Sequence, residues 1–165
     1  YVVRSYPFTR SLDLTVKNIE GQSAGGGGDF PEAVDLALDD AIFKHQWRDS
    51  ARARILFLVL DAPPHKDPAS MQRLHKASEE AARKGIRIVP VVGSGIDKET
   101  EFLMRFLAVS TGGTYVFLTD DSGIGGGHIK PTIGAHTVEN LSHLLIKVIN
   151  RQLDVQDIRP VHQTP

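Results

Sequence analysis

The sequence predicts an α/β domain: an open, mostly parallel sheet with helices on both faces. Short apolar, β-branched runs alternate along the chain with longer helical patterns, which is the signature of parallel βαβ units. Size and composition confine this to one domain. The chain has 165 residues, of which 41% are hydrophobic and 24% charged, ordinary values for a globular domain and too apolar for overall disorder.

Taken in order, Tyr1-Val2-Val3-Arg4-Ser5-Tyr6 reads as a strand, and a start at Tyr rather than Met raises the expectation of a processed or trimmed piece. Ser11 to Glu20 is a weak helix. Pro31 to Trp47 is the strongest one, with Val34, Leu38, Ala41 and Ile42 recurring on one stripe and Asp35, Asp39 and Asp40 off it, on a solvated face. Ile55 to Leu60 has no polar alternation and suits a strand covered on both faces. Met71, Leu74 and Ala81 mark a helix from Pro68 to Lys84, closed by Gly85. Ile86 to Val92 is a second strand, made irregular or an edge by Pro90, which has no N–H for a ladder. A helix from Lys98 to Ser110 points Phe102, Leu103, Phe106 and Leu107 inward, with Gly112-Gly113 after it. Thr114 to Leu118 is the next strand. Val138 to Leu153 is the last helix, with Val138, Leu141, Leu145 and Val148 on its stripe. The domain spans 1–153, and 154–165 is a polar tail or linker.

Charge and cysteine usage exclude several classes of function. Lys and Arg number 19 against 20 Asp and Glu, a net charge of −1, so there is no basic excess for a nucleic-acid backbone. With no cysteine there is no disulfide framework, thiolate metal site or cysteine nucleophile, and the compartment stays open. The longest apolar run is six residues, Ile55 to Leu60, against the ~20 that a spanning helix needs. Nothing at the start resembles a signal peptide.

Ligands of open α/β sheets bind beyond the carboxyl ends of the strands, so the residues just past each strand matter most. Asp61 directly succeeds the Ile55 strand, where a poorly solvated carboxylate would gain from a cation or a donor cluster; plain loop capping is the alternative. His65 is a lesser candidate, since no histidine pair has zinc-like spacing with a third ligand. The stretch Gly25-Gly26-Gly27-Gly28-Asp29 admits two readings that can hold together. Its glycines let backbone approach an anion or metal-bound water, or Asp29 caps the helix, with Glu32 completing a capping box and Pro31 in the first turn. No Gly-Lys-Ser/Thr comes after it and the glycine spacing is not that of a dinucleotide site, so nucleotide binding is disfavoured. Asp120 and Asp121 lack the ligand spacing of a calcium loop, and turn chemistry explains them more simply.

Several of these pieces together resemble bacterial members of the von Willebrand factor type A (vWA) family: Gly26-Gly27-Gly28-Asp29-Phe30-Pro31-Glu32-Ala33-Val34, Trp47, the strand into Asp61-Ala62-Pro63-Pro64-His65, and Thr111-Gly112-Gly113-Thr114-Tyr115 with Thr119-Asp120-Asp121-Ser122-Gly123. The resemblance covers residues 1 to about 153. It implies a Rossmann-like three-layer sandwich with a metal-ion-dependent adhesion site (MIDAS) formed by three loops, Asp29 taking the second loop's role and Asp61 the third's. The Asp-x-Ser-x-Ser of the first loop is absent. Tyr1 to Tyr6 looks like the family's third strand, so the first strand, first helix and second strand are missing upstream, and the Ile55 strand is expected to have an open side. Either the chain is a piece of a longer one, or another segment fills the gap.

The function implied is a protein-binding or adhesion module, not an enzyme. A magnesium ion, or manganese or calcium, held at Asp29 and Asp61 would keep one position open for an acidic side chain of a protein partner. With two ligand loops such binding would be weak. The rivals are a magnesium-dependent hydrolase or phosphoryl-transfer enzyme using Asp61, against which Pro63 stands where a second aspartate is usual, and a metal-free interaction scaffold. The resemblance also implies a bacterial envelope or secreted protein.

Overall fold

The elements run α1 (Leu12–Glu20), α2 (Val34–Asp39), a π-helical turn (Asp40–Lys44), β1 (Ile55–Leu60), α3 (Pro68–Arg83), β2 (Arg87–Val92), α4 (Lys98–Ser110), β3 (Val116–Phe117) and α5 (Leu141–Asp154). They come from a computed structural model describing residues 2–23, 30–93, 96–118 and 140–154. The three strands form one parallel sheet in the order β1-β2-β3. Each crossover therefore advances the chain by one strand, through α3 and then α4.

Alternation along the strands separates two cores. Leu58, Leu60, Ile88 and Val92 pack with Val34 and Leu38 of α2, Leu74 and Ala77 of α3, and Met104 and Leu107 of α4. On the opposite face Val89, Val91 and Val116 meet Val148 of α5, flanked by Leu144 and Leu145. The fold is thus α/β with helices on both faces of a small open sheet. Each fully buried aliphatic side chain in these cores contributes about 1.5–3 kcal/mol relative to exposure.

Local signals explain where the helices start and stop. Asp67 accepts from the backbone N–H groups of Ala69 and Ser70 at the head of α3, with Pro68 in its first turn. Asp97 does the same for α4 through Thr100. Beyond α3, Gly85 takes the left-handed conformation (φ 63°) that ends a helix without a Cβ penalty.

Pro90 does not mark an edge, since β2 is the central strand and Pro90 pairs with Leu58. Arg87 and Gly93 donate to the carbonyls of Arg54 and Leu60, so the alternate residues of β2 (88, 90 and 92) direct their backbone groups toward β3. β3 begins only at Val116, opposite Val91. The missing N–H thus falls just ahead of β3, and the N–H of Ile88 on the same side is satisfied by Thr111 Oγ1 at 3.0 Å.

The expected strand at Tyr1 to Tyr6 does not form among the described residues 2–6. That segment lies instead against the π-helical turn. Ser5 Oγ donates to Asp40, and Phe8 sits edge-on to His45 and Trp47 at 5.4 and 5.1 Å.

The expected helix from Pro31 to Trp47 is shorter at both ends. It starts at Val34 with Ala33 as its cap and no side-chain capping bond, because Glu32 is engaged in a bridge with Pro64. The capping box of Asp29 and Glu32 is therefore not what starts it. Its end is held by side chains, Trp47 Nε1 donating to Ala41 O at 2.8 Å and Lys84 Nζ to Ile42 O at 2.7 Å.

In α4 the inward residues are Thr100, Glu101, Met104, Leu107 and Ala108, while Phe102 and Phe106 are exposed. α5 starts at Leu141; Val138 lies outside the described residues. α1 forms as expected, capped by Ser11, yet buries none of its residues.

Candidate functional site

Asp61 stands one residue past β1, at the carboxyl-end rim of the sheet, where open α/β folds bind ligands. The loop that carries it is fixed from three directions. Gly93, next after β2, donates to Leu60 O at 2.7 Å, and a Cβ at Gly93 would stand 3.2 Å from Asp61 Cβ, so the absent side chain is what lets the two loops close up. Glu32 N–H donates to Pro63 O at 2.8 Å and His65 N–H to Glu32 O at 3.3 Å, joining the segment after the glycine run to the loop after β1. Lys66 Nζ bonds Asp97 at 2.8 Å and Glu99 at 2.6 Å, linking that same loop to the head of α4.

Asp61 is exposed, not poorly solvated as its place after an apolar strand suggested. The reason is topological: among the described residues β1 has a sheet neighbour on one side only, and the residue across from Asp61 is a glycine. His65 is half-buried in the same loop. The carboxylate of Asp97 is held down to about 2, chiefly by the Lys66 ammonium and then by the backbone N–H of Thr100.

Lys66, Asp97 and Glu99 carried no motif in the sequence, and their only signal was position, at the starts of segments that come after strands. Asp29, Asp120 and Asp121 lie outside the described residues. Among the described residues no group of three or more His, Cys, Asp or Glu side chains could hold a metal ion. In kind, the Asp61 carboxylate suits a hard cation such as magnesium. In number, one exposed carboxylate does not make a site.

The acidic positions on α2 behave differently from the solvated face expected of them. Asp35 is 1% exposed and is paired with Arg73 Nε at 2.6 Å, whose guanidinium also bonds Ser70 Oγ at 3.1 Å. Asp40 is buried as well, its carboxyl pushed below the usual range first by the Ser5 hydroxyl and then by Lys44 and His45, against its own burial. Both serve packing, α3 covering the first and the N-terminal segment the second.

Comparison with known proteins adds no identity to the rim of this α/β fold. The chain matches no family model and no curated protein. No helix among the described residues is long and apolar enough to cross a membrane.

Proposed function

We propose that this chain is a vWA-like protein-binding module whose partner docks at the carboxyl-end rim, with a hard divalent cation, magnesium or manganese, shared by Asp61 and Asp29 and completed by an acidic side chain of the partner. The observation that carries the reading is the backbone pairing of Glu32 with Pro63 and His65. It ties the loop three residues after Asp29 to the loop two residues after Asp61, the pair of loops on which the resemblance puts the ion. Carboxylate oxygens are the donors such a cation takes. The ion would supply a positive charge that a partner carboxylate can complete, while Lys66, Asp97 and Glu99 hold the loop that presents Asp61.

A cation that binds only the folded chain raises stability by RT ln(1 + [L]/Kd), about 1.4 kcal/mol at ten times Kd. For a domain of this size that is a rise in Tm of about 3–6 °C. Melts in EDTA and in millimolar magnesium should therefore differ by that amount, and the Asp61→Ala chain should show no difference. Equal melts for the unsubstituted chain would remove the metal from the reading. The exposure of Asp61, and the lack among the described residues of any group of three or more His, Cys, Asp or Glu side chains that could hold an ion, favour a second reading in that case, a metal-free interaction scaffold using the same rim.

A further inference from the structure

The rim is held from below as well as across its top. α2 begins just after Glu32, and its approach is joined to the loop after β1 by the bonds from Glu32 N–H to Pro63 O and from His65 N–H to Glu32 O. A second connection between the same two segments runs through side chains. Asp35, in the first turn of α2, accepts from Arg73 Nε at 2.6 Å. The same guanidinium donates through Nη2 to Ser70 Oγ at 3.1 Å, and that hydroxyl donates to Asp67 Oδ2 at 2.6 Å. Asp67 is where the loop ends and α3 begins.

Ser70 is the middle of this relay. Its hydroxyl accepts from a cation and donates to an anion, an arrangement in which each bond polarises and strengthens the other. Ser70 and Asp35 are buried, and the Ser70 hydroxyl is the foremost cause holding the Asp67 carboxyl below its usual range. The cap of α3 does not depend on that hydroxyl, because Asp67 Oδ1 takes the backbone N–H groups of Ala69 and Ser70. The loop in between can transmit the constraint, since Ala62, Pro63 and Pro64 are buried and the prolines fix two of its φ angles.

We propose that Ser70 is a positioning residue of the rim, its hydroxyl coupling the loop that presents Asp61 to the buried Asp35 and Arg73 pair and so setting the spacing of the two loops that face a ligand. For the identity of that ligand, a divalent cation, the inference rests on the function proposed above. The backbone bonds at Glu32 fix a point, about which the loop could still swing. Lys66 ties the loop to the head of α4, a different element, so the angle to α2 is left to the Ser70 relay. Supporting hydrogen bonds of this kind hold ligand groups in the geometry an ion requires.

Ser70→Ala cuts the relay while Arg73 stays on Asp35, so no buried charge is stranded. Ser78→Ala is the matched control. Ser78 lies on the same helix, about 12 Å further along, is equally buried and shares its hydroxyl with Ser110 at 2.9 Å. Native-state amide exchange in EDTA reads the loop without an ion. Measured against the Ile88 amide of the sheet in the same sample, those of Glu32 and His65 should exchange about tenfold faster in Ser70→Ala and at the parent's rate in Ser78→Ala. Magnesium titration by calorimetry should show Kd raised about tenfold in Ser70→Ala and unaltered in Ser78→Ala. Parent-like exchange at Glu32 and His65 in Ser70→Ala, or an equal increase in Ser78→Ala, would overturn the proposal, as would a magnesium Kd that stays fixed while the loop loosens. A parent chain that takes no magnesium would end the cation reading alone, and the exchange rates would still decide the role of Ser70.

Discussion

Asp35 is the residue whose environment the sequence conceals most fully. Its position off the apolar stripe of α2 places it on the polar side of an isolated helix, and that is where helical spacing stops being informative. α3 packs across it, and Arg73, 38 residues further on, supplies the countercharge. Removing one partner of such a pair is costlier on the buried side. Arg73→Ala strands a carboxylate that is 1% exposed and should cost about 3–5 kcal/mol. Asp35→Ala frees a guanidinium whose side chain is already 38% exposed and can turn to water, so it should cost about 1–3 kcal/mol. Urea unfolding of the two variants measures the difference, and the reverse order would show that the carboxylate does not depend on Arg73.

At the scale of the element, α4 shows why a periodic pattern can be read correctly as a helix and wrongly as a face. Phe102, Phe106 and Val109 share one stripe and Thr100, Met104 and Leu107 another, both apolar enough to be taken for the core side. The bulkier aromatics are outside. The choice is made by the chain beyond the helix: Gly112 (φ 66°) turns it back, and Gly113 lies so close to β2 that a Cβ there would stand 1.8 Å from Ile88 O. That approach puts Thr111 beside Ile88 N–H and fixes which side of α4 meets the sheet. Gly113→Ala should therefore destabilise by about 3 kcal/mol or more, since backbone must move. Gly112→Ala, which has open space around it, should cost only the left-handed strain of about 1–2 kcal/mol. Thermal melts of the two variants should rank them in that order. Pro90 carries a related lesson. Its missing donor forbids a ladder bond on one side only, and the sequence does not reveal that the neighbour on that side has not yet begun.

For the whole molecule, the legible part was the local part. Three strands and the crossovers between them were readable because each βαβ unit is contiguous in sequence, and Asp61 at the rim was readable from the end of an apolar run. Strand order, the burial of Asp35 and Asp40, and the exposure of Asp61 were not readable, because each depends on a partner distant along the chain. The N-terminal segment is the clearest instance. Its alternation suits a strand, yet it contacts the π-helical turn and the residues just beyond it, where Asp40, His45 and Trp47 receive Ser5 and Phe8.

That contact has a spectroscopic consequence. Trp47 is the only tryptophan in the chain, and its indole meets Ala41 O and the Phe8 ring on one side and the main core on the other. Emission from this protein therefore responds to two events, the undocking of its N-terminal arm and the opening of the core that the sheet shares, and a Phe8→Ala chain, which lacks the first contact, would separate them.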